Sequence, residues 1–75
     1  MQPYANKSGK SGIVAYEITA DSITVQFRDG WKYVYNTVTP GAAVLAQLKS
    51  LAQAGRGLNS YISGTVKKNF SNKYL

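Results

Sequence analysis

The chain contains neither cysteine nor histidine, and that absence excludes more chemistry than any residue present suggests. Without thiols there is no disulfide staple, and without thiolate or imidazole a zinc site lacks its ordinary donors. The same two absences remove the commonest nucleophile and the commonest general base. Carboxylates are scarce as well: Glu17, Asp21 and Asp29 are the whole set. Two of these fall in turn sequences and one in a strand, with nothing to bring them together. The expectation is therefore a protein that is not an enzyme and needs no cofactor or metal. No apolar run approaches the roughly 20 residues that span a bilayer, and Met1-Gln2-Pro3-Tyr4 does not begin as a signal peptide does. A cytoplasmic protein with no membrane contact is expected.

What is present fits a single domain, since the chain has 75 residues. A chain of that size buries only about 60% of its unfolded surface, and its one core nets about 3–5 kcal/mol. With disulfides and metals excluded, self-association is the staple left, so a homo-oligomer is among the expectations. A pocket of several hundred Å³ is hard to fit within one such chain.

Charge is the strongest compositional feature, at +6 net. The flanks, residues 1–12 and 67–75, carry Lys7, Lys10, Lys67, Lys68 and Lys73 and no acid; the middle is nearly balanced. A basic excess suits an anionic partner such as nucleic acid. Ser8-Gly9-Lys10-Ser11-Gly12 has linker composition. The chain thus divides into a flexible segment over 1–12, a folded domain over 13–66 and a flexible basic tail over 67–75.

Within the domain, Ile13–Ile18 reads as a strand, Thr19–Ser22 as a turn, and Ile23–Arg28 as a second strand of alternating apolar and polar residues. Trp31–Tyr35 is a third strand, rich in β-forming aromatics. Thr39 is placed to cap a helix with Pro40 in its first turn. Val44, Leu45, Leu48, Leu51 and Ala52 then share one helical face, and Gly55 closes the helix. A shorter helix runs from about Leu58 to Val66, with Leu58, Tyr61, Ile62 and Val66 facing inward. The fold class is α+β: a three-stranded antiparallel meander with two helices packed on one face, in the order βββαα.

The turn at Asp29-Gly30 decides which face the aromatics take. A two-residue loop pairs Arg28 with Trp31 and sets Trp31, Tyr33 and Tyr35 beside Thr24, Gln26 and Arg28 as an open platform for stacking bases. A three-residue loop with left-handed Gly30 pairs Phe27 with Trp31 instead. Ile23, Val25, Phe27, Trp31, Tyr33 and Tyr35 then share one face, and Thr24, Gln26, Arg28, Lys32, Val34 and Asn36 the other. Burial favours the second register, because it gathers the apolar side chains. Tyr33 and Tyr35 become mainly core residues in that register.

Phe27, Gly30, Tyr33-Val34-Tyr35, Val38-Thr39-Pro40, and then Gly55, Leu58, Asn59 and Ile62 follow one another in an order and spacing that resemble the KTSC domain. That family is named for the C-terminal region of some lysyl-tRNA synthetases and also occurs as stand-alone bacterial proteins. The resemblance covers about residues 12–66. It implies the βββαα fold and points toward RNA. Tyr33 and Tyr35 match the family's central Tyr-x-Tyr, and Gly55, Asn59 and Ile62 match its Gly-x-x-aromatic-Asn-x-x-Ile stretch. Leu58 stands where that stretch has an aromatic, and Val66 where the family often has tyrosine. Both departures remove stacking surface.

The candidate contacts for nucleic acid or another anion are Arg28, Trp31, Lys32, Tyr33, Tyr35, Arg56, Asn59, Lys67 and Lys68. Each has a plainer reading: Trp31, Tyr33 and Tyr35 as packing, Arg28 and Lys32 as a solvated sheet face, and Gly55-Arg56-Gly57 with Asn59 as a helix–helix turn. Lys67, Lys68 and Lys73, with Phe70 and Tyr74 among them, mix charge and aromatics in the tail. The functions in contention are an RNA or single-strand binding module, a protein-interaction or self-assembling module using the open edges of the first or third strand, for instance as a phage- or mobile-element-encoded inhibitor, and an oligomer that sequesters a small nucleotide-like anion.

Overall fold

Hydrophobic alternation builds a sheet and helical periodicity covers it, but both ends of the chain join that sheet too. The computed structural model describes residues 1–7, 9 and 11–75, so the linker reading at Ser8 and Lys10 lies outside the described residues. Five strands, β1 (Gln2–Pro3), β2 (Ile13–Ile18), β3 (Ser22–Phe27), β4 (Lys32–Asn36) and β5 (Asn72–Tyr74), form one antiparallel sheet in sequence order. Helices α1 (Ala42–Ala54) and α2 (Leu58–Tyr61) and a π-helical turn (Ile62–Val66) lie between β4 and β5.

The hairpin between β3 and β4 takes the three-residue loop. The Gly30 N–H donates to the Phe27 carbonyl at 2.9 Å, and the Phe27 N–H donates to the Trp31 carbonyl at 2.9 Å. Gly30 has φ +95°, which the bulge requires and glycine supplies. Val25 therefore pairs with Tyr33 and Ile23 with Tyr35, while Gln26 pairs with Lys32 on the opposite face. Ile23, Val25 and Tyr35 are buried in one cluster with Leu45, Leu48, Ala52, Leu58, Ile62 and Val66. The core thus lies between this sheet face and the apolar sides of the helices.

Two of the expected boundaries change. The three-stranded meander becomes five-stranded, because Gln2–Pro3 pairs with β2 and Asn72–Tyr74 pairs with β4. Tyr4, expected in a flexible segment, is 6% exposed within the core. Its hydroxyl accepts the Leu58 N–H at 3.4 Å. The Lys7 N–H donates to the Gly55 carbonyl at 2.8 Å. These contacts fasten the N-terminal segment across the turn between the helices.

The first helix also starts later than Thr39. The Asn36 side chain accepts the N–H groups of Val38 and Thr39, and the Asn36 N–H donates to the Thr39 carbonyl. This tight turn holds Pro40 beside Asn36 in an isolated bridge, and Gly41 is the residue that precedes the helix. At the other end Gly55 is left-handed, and its N–H reaches the carbonyls of Leu51 and Ala52, as a C-cap glycine does. Among the described residues no helix is long and apolar enough to cross a membrane.

Candidate functional site

The late return of the chain to the sheet creates a cleft. After the π-helical turn the backbone reverses at Val66–Asn69, where the Asn69 N–H donates to the Val66 carbonyl at 3.0 Å. It then runs back to β4, where the Ser71 N–H donates to the Val34 carbonyl at 2.7 Å. Between this segment, the π-helical turn and the hairpin lies a cavity of about 440 Å³. A single chain of this size does hold a pocket of several hundred Å³, because the C-terminal residues supply one wall of it.

The floor is aromatic. Tyr33 packs edge-to-face between Phe27, at 5.3 Å between ring centroids, and Phe70, at 4.9 Å. Such contacts are each worth about 0.5–1.5 kcal/mol beyond area burial, so the three rings form a preset surface. Lys67, Lys68 and Lys73 also line the cleft, with Asp29 as the one carboxylate. The Asp29 side chain accepts the Trp31 N–H at 3.0 Å and so belongs to the hairpin turn.

Tyr35 lines the same cleft although only 1% of its surface is exposed. Among the described residues none hydrogen-bonds its hydroxyl. Burial, with the neighbouring Tyr33 adding to it, pushes that hydroxyl up to about 12 from 10.0. The group stays a neutral phenol, able to donate one hydrogen bond and to accept others, throughout the physiological range.

The residues singled out from the sequence divide. Tyr33, Tyr35, Lys67 and Lys68 meet at the cleft. Trp31 flanks it, with the Lys73 ammonium 5.2 Å from its ring centroid. Lys32 does not join them: it lies on the opposite sheet face, its ammonium 5.6 Å from the Tyr74 ring centroid. The Arg28 guanidinium donates to the Ser11 carbonyl at 3.2 Å. Arg56 is exposed in the turn between the helices, and neither it nor Asn59 lines the cleft. An anion seat at that turn finds little support, since α2 has four residues and its first N–H is taken by Tyr4.

Phe27, Asp29, Ile62 and Ser63 are the cleft residues that sequence reasoning missed as site candidates, and it did not bring Phe70 and Lys73 of the tail together with Tyr33. The mixed charge and aromatics of 67–75 were the available signal. The edges of β2 and β4, expected to be open, are occupied by β1 and β5. Among the described residues no group of three or more carboxylates lies close enough to cage a metal ion. Comparison with models of known families, with curated proteins and with solved structures finds no match for this chain.

Proposed function

We propose that this protein is a non-catalytic module that binds RNA or single-stranded nucleic acid at the cleft between β4, β5 and the π-helical turn, in keeping with the KTSC-like pattern of its sequence. The reading rests on one observation: Lys67, Lys68 and Lys73 surround a floor made of Phe27, Tyr33 and Phe70. Single strands are held in this way, with cations tracking the phosphates and aromatic rings taking the bases. Trp31 and Lys73 extend the same chemistry past the rim, where the next nucleotide of a strand would pass.

The test is fluorescence anisotropy with a labelled single-stranded dodecamer across a salt series. Three lysines that each neutralise one phosphate predict a log–log slope of about −2, or a roughly twentyfold loss between 50 and 200 mM salt. Exchanging both Lys68 and Lys73 for Glu should abolish binding at all but the lowest salt. A slope near zero, or no binding at low salt, would sink the proposal.

A further inference from the structure

The cleft is half open to solvent and small enough for one ligand unit. Its volume of about 440 Å³ falls within the range of small-molecule sites, roughly 300–1,000 Å³. That gives room for one base with its sugar and phosphate within the cleft itself. Its chemistry is graded to match, with rings at the floor, cations at the rim, and Tyr35 and Ser63 also among its lining residues.

The backbone adds an independent observation. Lys67 has φ 53° and ψ −118°. This is the second position of a type II′ turn over Val66–Asn69, a place dominated by glycine because side chains there are strained. Strained positions of this kind cost about 1–3 kcal/mol and cluster at ligand sites. The π-helical turn just before it, whose Ile62 and Ser63 line the cleft, is a second irregularity typical of functional positions. Lys67 thus bears a strain that glycine would relax, and its side chain lines the cleft.

We infer that the cleft takes a single nucleotide unit, its base on the rings of Phe27, Tyr33 and Phe70 and its phosphate on Lys67, Lys68 and Lys73, with Lys67 held in a strained turn to place its charge. The unit comes from an extruded or terminal residue of a strand, or from a free nucleotide; the chemistry recognised is the same. This inference rests on the anionic-ligand reading above, and one experiment separates the two.

The experiment is calorimetric titration of the full chain with each 5′-ribonucleoside monophosphate, with ribose 5-phosphate and with a single-stranded RNA dodecamer. At least one monophosphate should bind at one per chain and displace the dodecamer. Ribose 5-phosphate should bind about tenfold or more weakly, because base stacking is absent. The substitution Lys67→Gly should weaken the monophosphate about tenfold while raising the melting midpoint by about 5 °C. If the dodecamer binds with its salt slope and no monophosphate competes, the pocket is refuted and the strand reading stands. If a monophosphate binds and the dodecamer does not, the pocket stands and the strand reading falls; if neither binds, both fall. A Lys67→Gly protein of unchanged affinity or lower melting midpoint would overturn the role given to Lys67.

Discussion

Gly55 is where the N-terminal segment crosses the turn after the first helix, and its replacement tests that packing directly. Its φ of +78° already disfavours any side chain, and alanine there costs about 1–2 kcal/mol for left-handed backbone alone. A Cβ at Gly55 would also stand 2.6 Å from the Cβ of Ala5, a contact that something must shift to relieve. Overpacking of that kind adds about 1–3 kcal/mol. Gly55→Ala should therefore lose about 2–5 kcal/mol, comparable to the whole stability of a domain this small. Gly30 supplies the reference: its φ is +95°, but a Cβ there meets only the end of the Leu75 side chain at an ordinary 3.5 Å. Gly30→Ala should cost the backbone share alone, about 1–2 kcal/mol. The decisive variant is Ala5→Gly combined with Gly55→Ala, which removes the clash and leaves the strain. Urea unfolding of the four proteins should show that Ala5→Gly recovers at least ~1 kcal/mol on the Gly55→Ala background. Additivity to within about 0.5 kcal/mol would refute the close approach, and with it the docking of residues 4–7 onto the helix turn.

Tyr4→Phe should cost about 1 kcal/mol, the low end for an unsatisfied buried N–H because the Leu58 bond is long; thermal melts would show a drop of about 4–8 °C, and no drop would mean that the hydroxyl is not the partner. The Tyr35 phenol titrates at about 12 when folded against 10.0 ordinarily. The fold favours its protonated form, so this stabilisation is complete below pH 10 and disappears as pH rises toward 12. Its ceiling is about 2.7 kcal/mol, and water in the open cleft screens it to about 1 kcal/mol. Urea midpoints measured from pH 9 to 11 should fall less steeply for Tyr35→Phe than for the parent, and parallel curves would contradict the burial of that hydroxyl. Val38 is 85% exposed at the tip of its turn, so Val38→Asp should change stability by less than about 0.5 kcal/mol; a larger loss in a chemical melt would reveal a contact not seen in the single chain.

The parts of the fold legible in the sequence are those governed by local pattern. The alternation of Ile23, Val25 and Phe27 and the position of Gly30 decide the hairpin register, because only one register gathers the apolar side chains. Leu45, Leu48 and Ala52 mark the buried side of α1 for the same reason. The edge strands left no such mark. Gln2–Pro3 and Asn72–Tyr74 are two and three residues long and exposed, whereas a period-of-two signal needs four or more. The start of α1 was obscured by a side chain: Thr39-Pro40 has the residues of a helix N-terminus, but Asn36 draws Val38 and Thr39 into a turn first. The cleft was half legible. Its lysines and Phe70 stand out in the sequence, but their meeting with Tyr33 depends on the long-range pairing of β5 with β4, which no short motif encodes.

That pairing has a kinetic consequence. The hairpins joining β2, β3 and β4 close over a few residues, whereas β5 is separated from β4 in sequence by both helices. Contacts of such long sequence separation carry a larger loop-closure cost and form late. With three exposed residues to hold it, β5 is able to detach while β2–β4 and the helices remain folded. The wall that carries Lys73 is then held less firmly than the central strands. A ligand bridging Lys73 to Lys67 and Lys68 would slow amide exchange at Asn72–Tyr74 and at the facing residues of β4 well before it altered exchange in β3, so occupancy of the cleft would be recorded in the protection of one short strand.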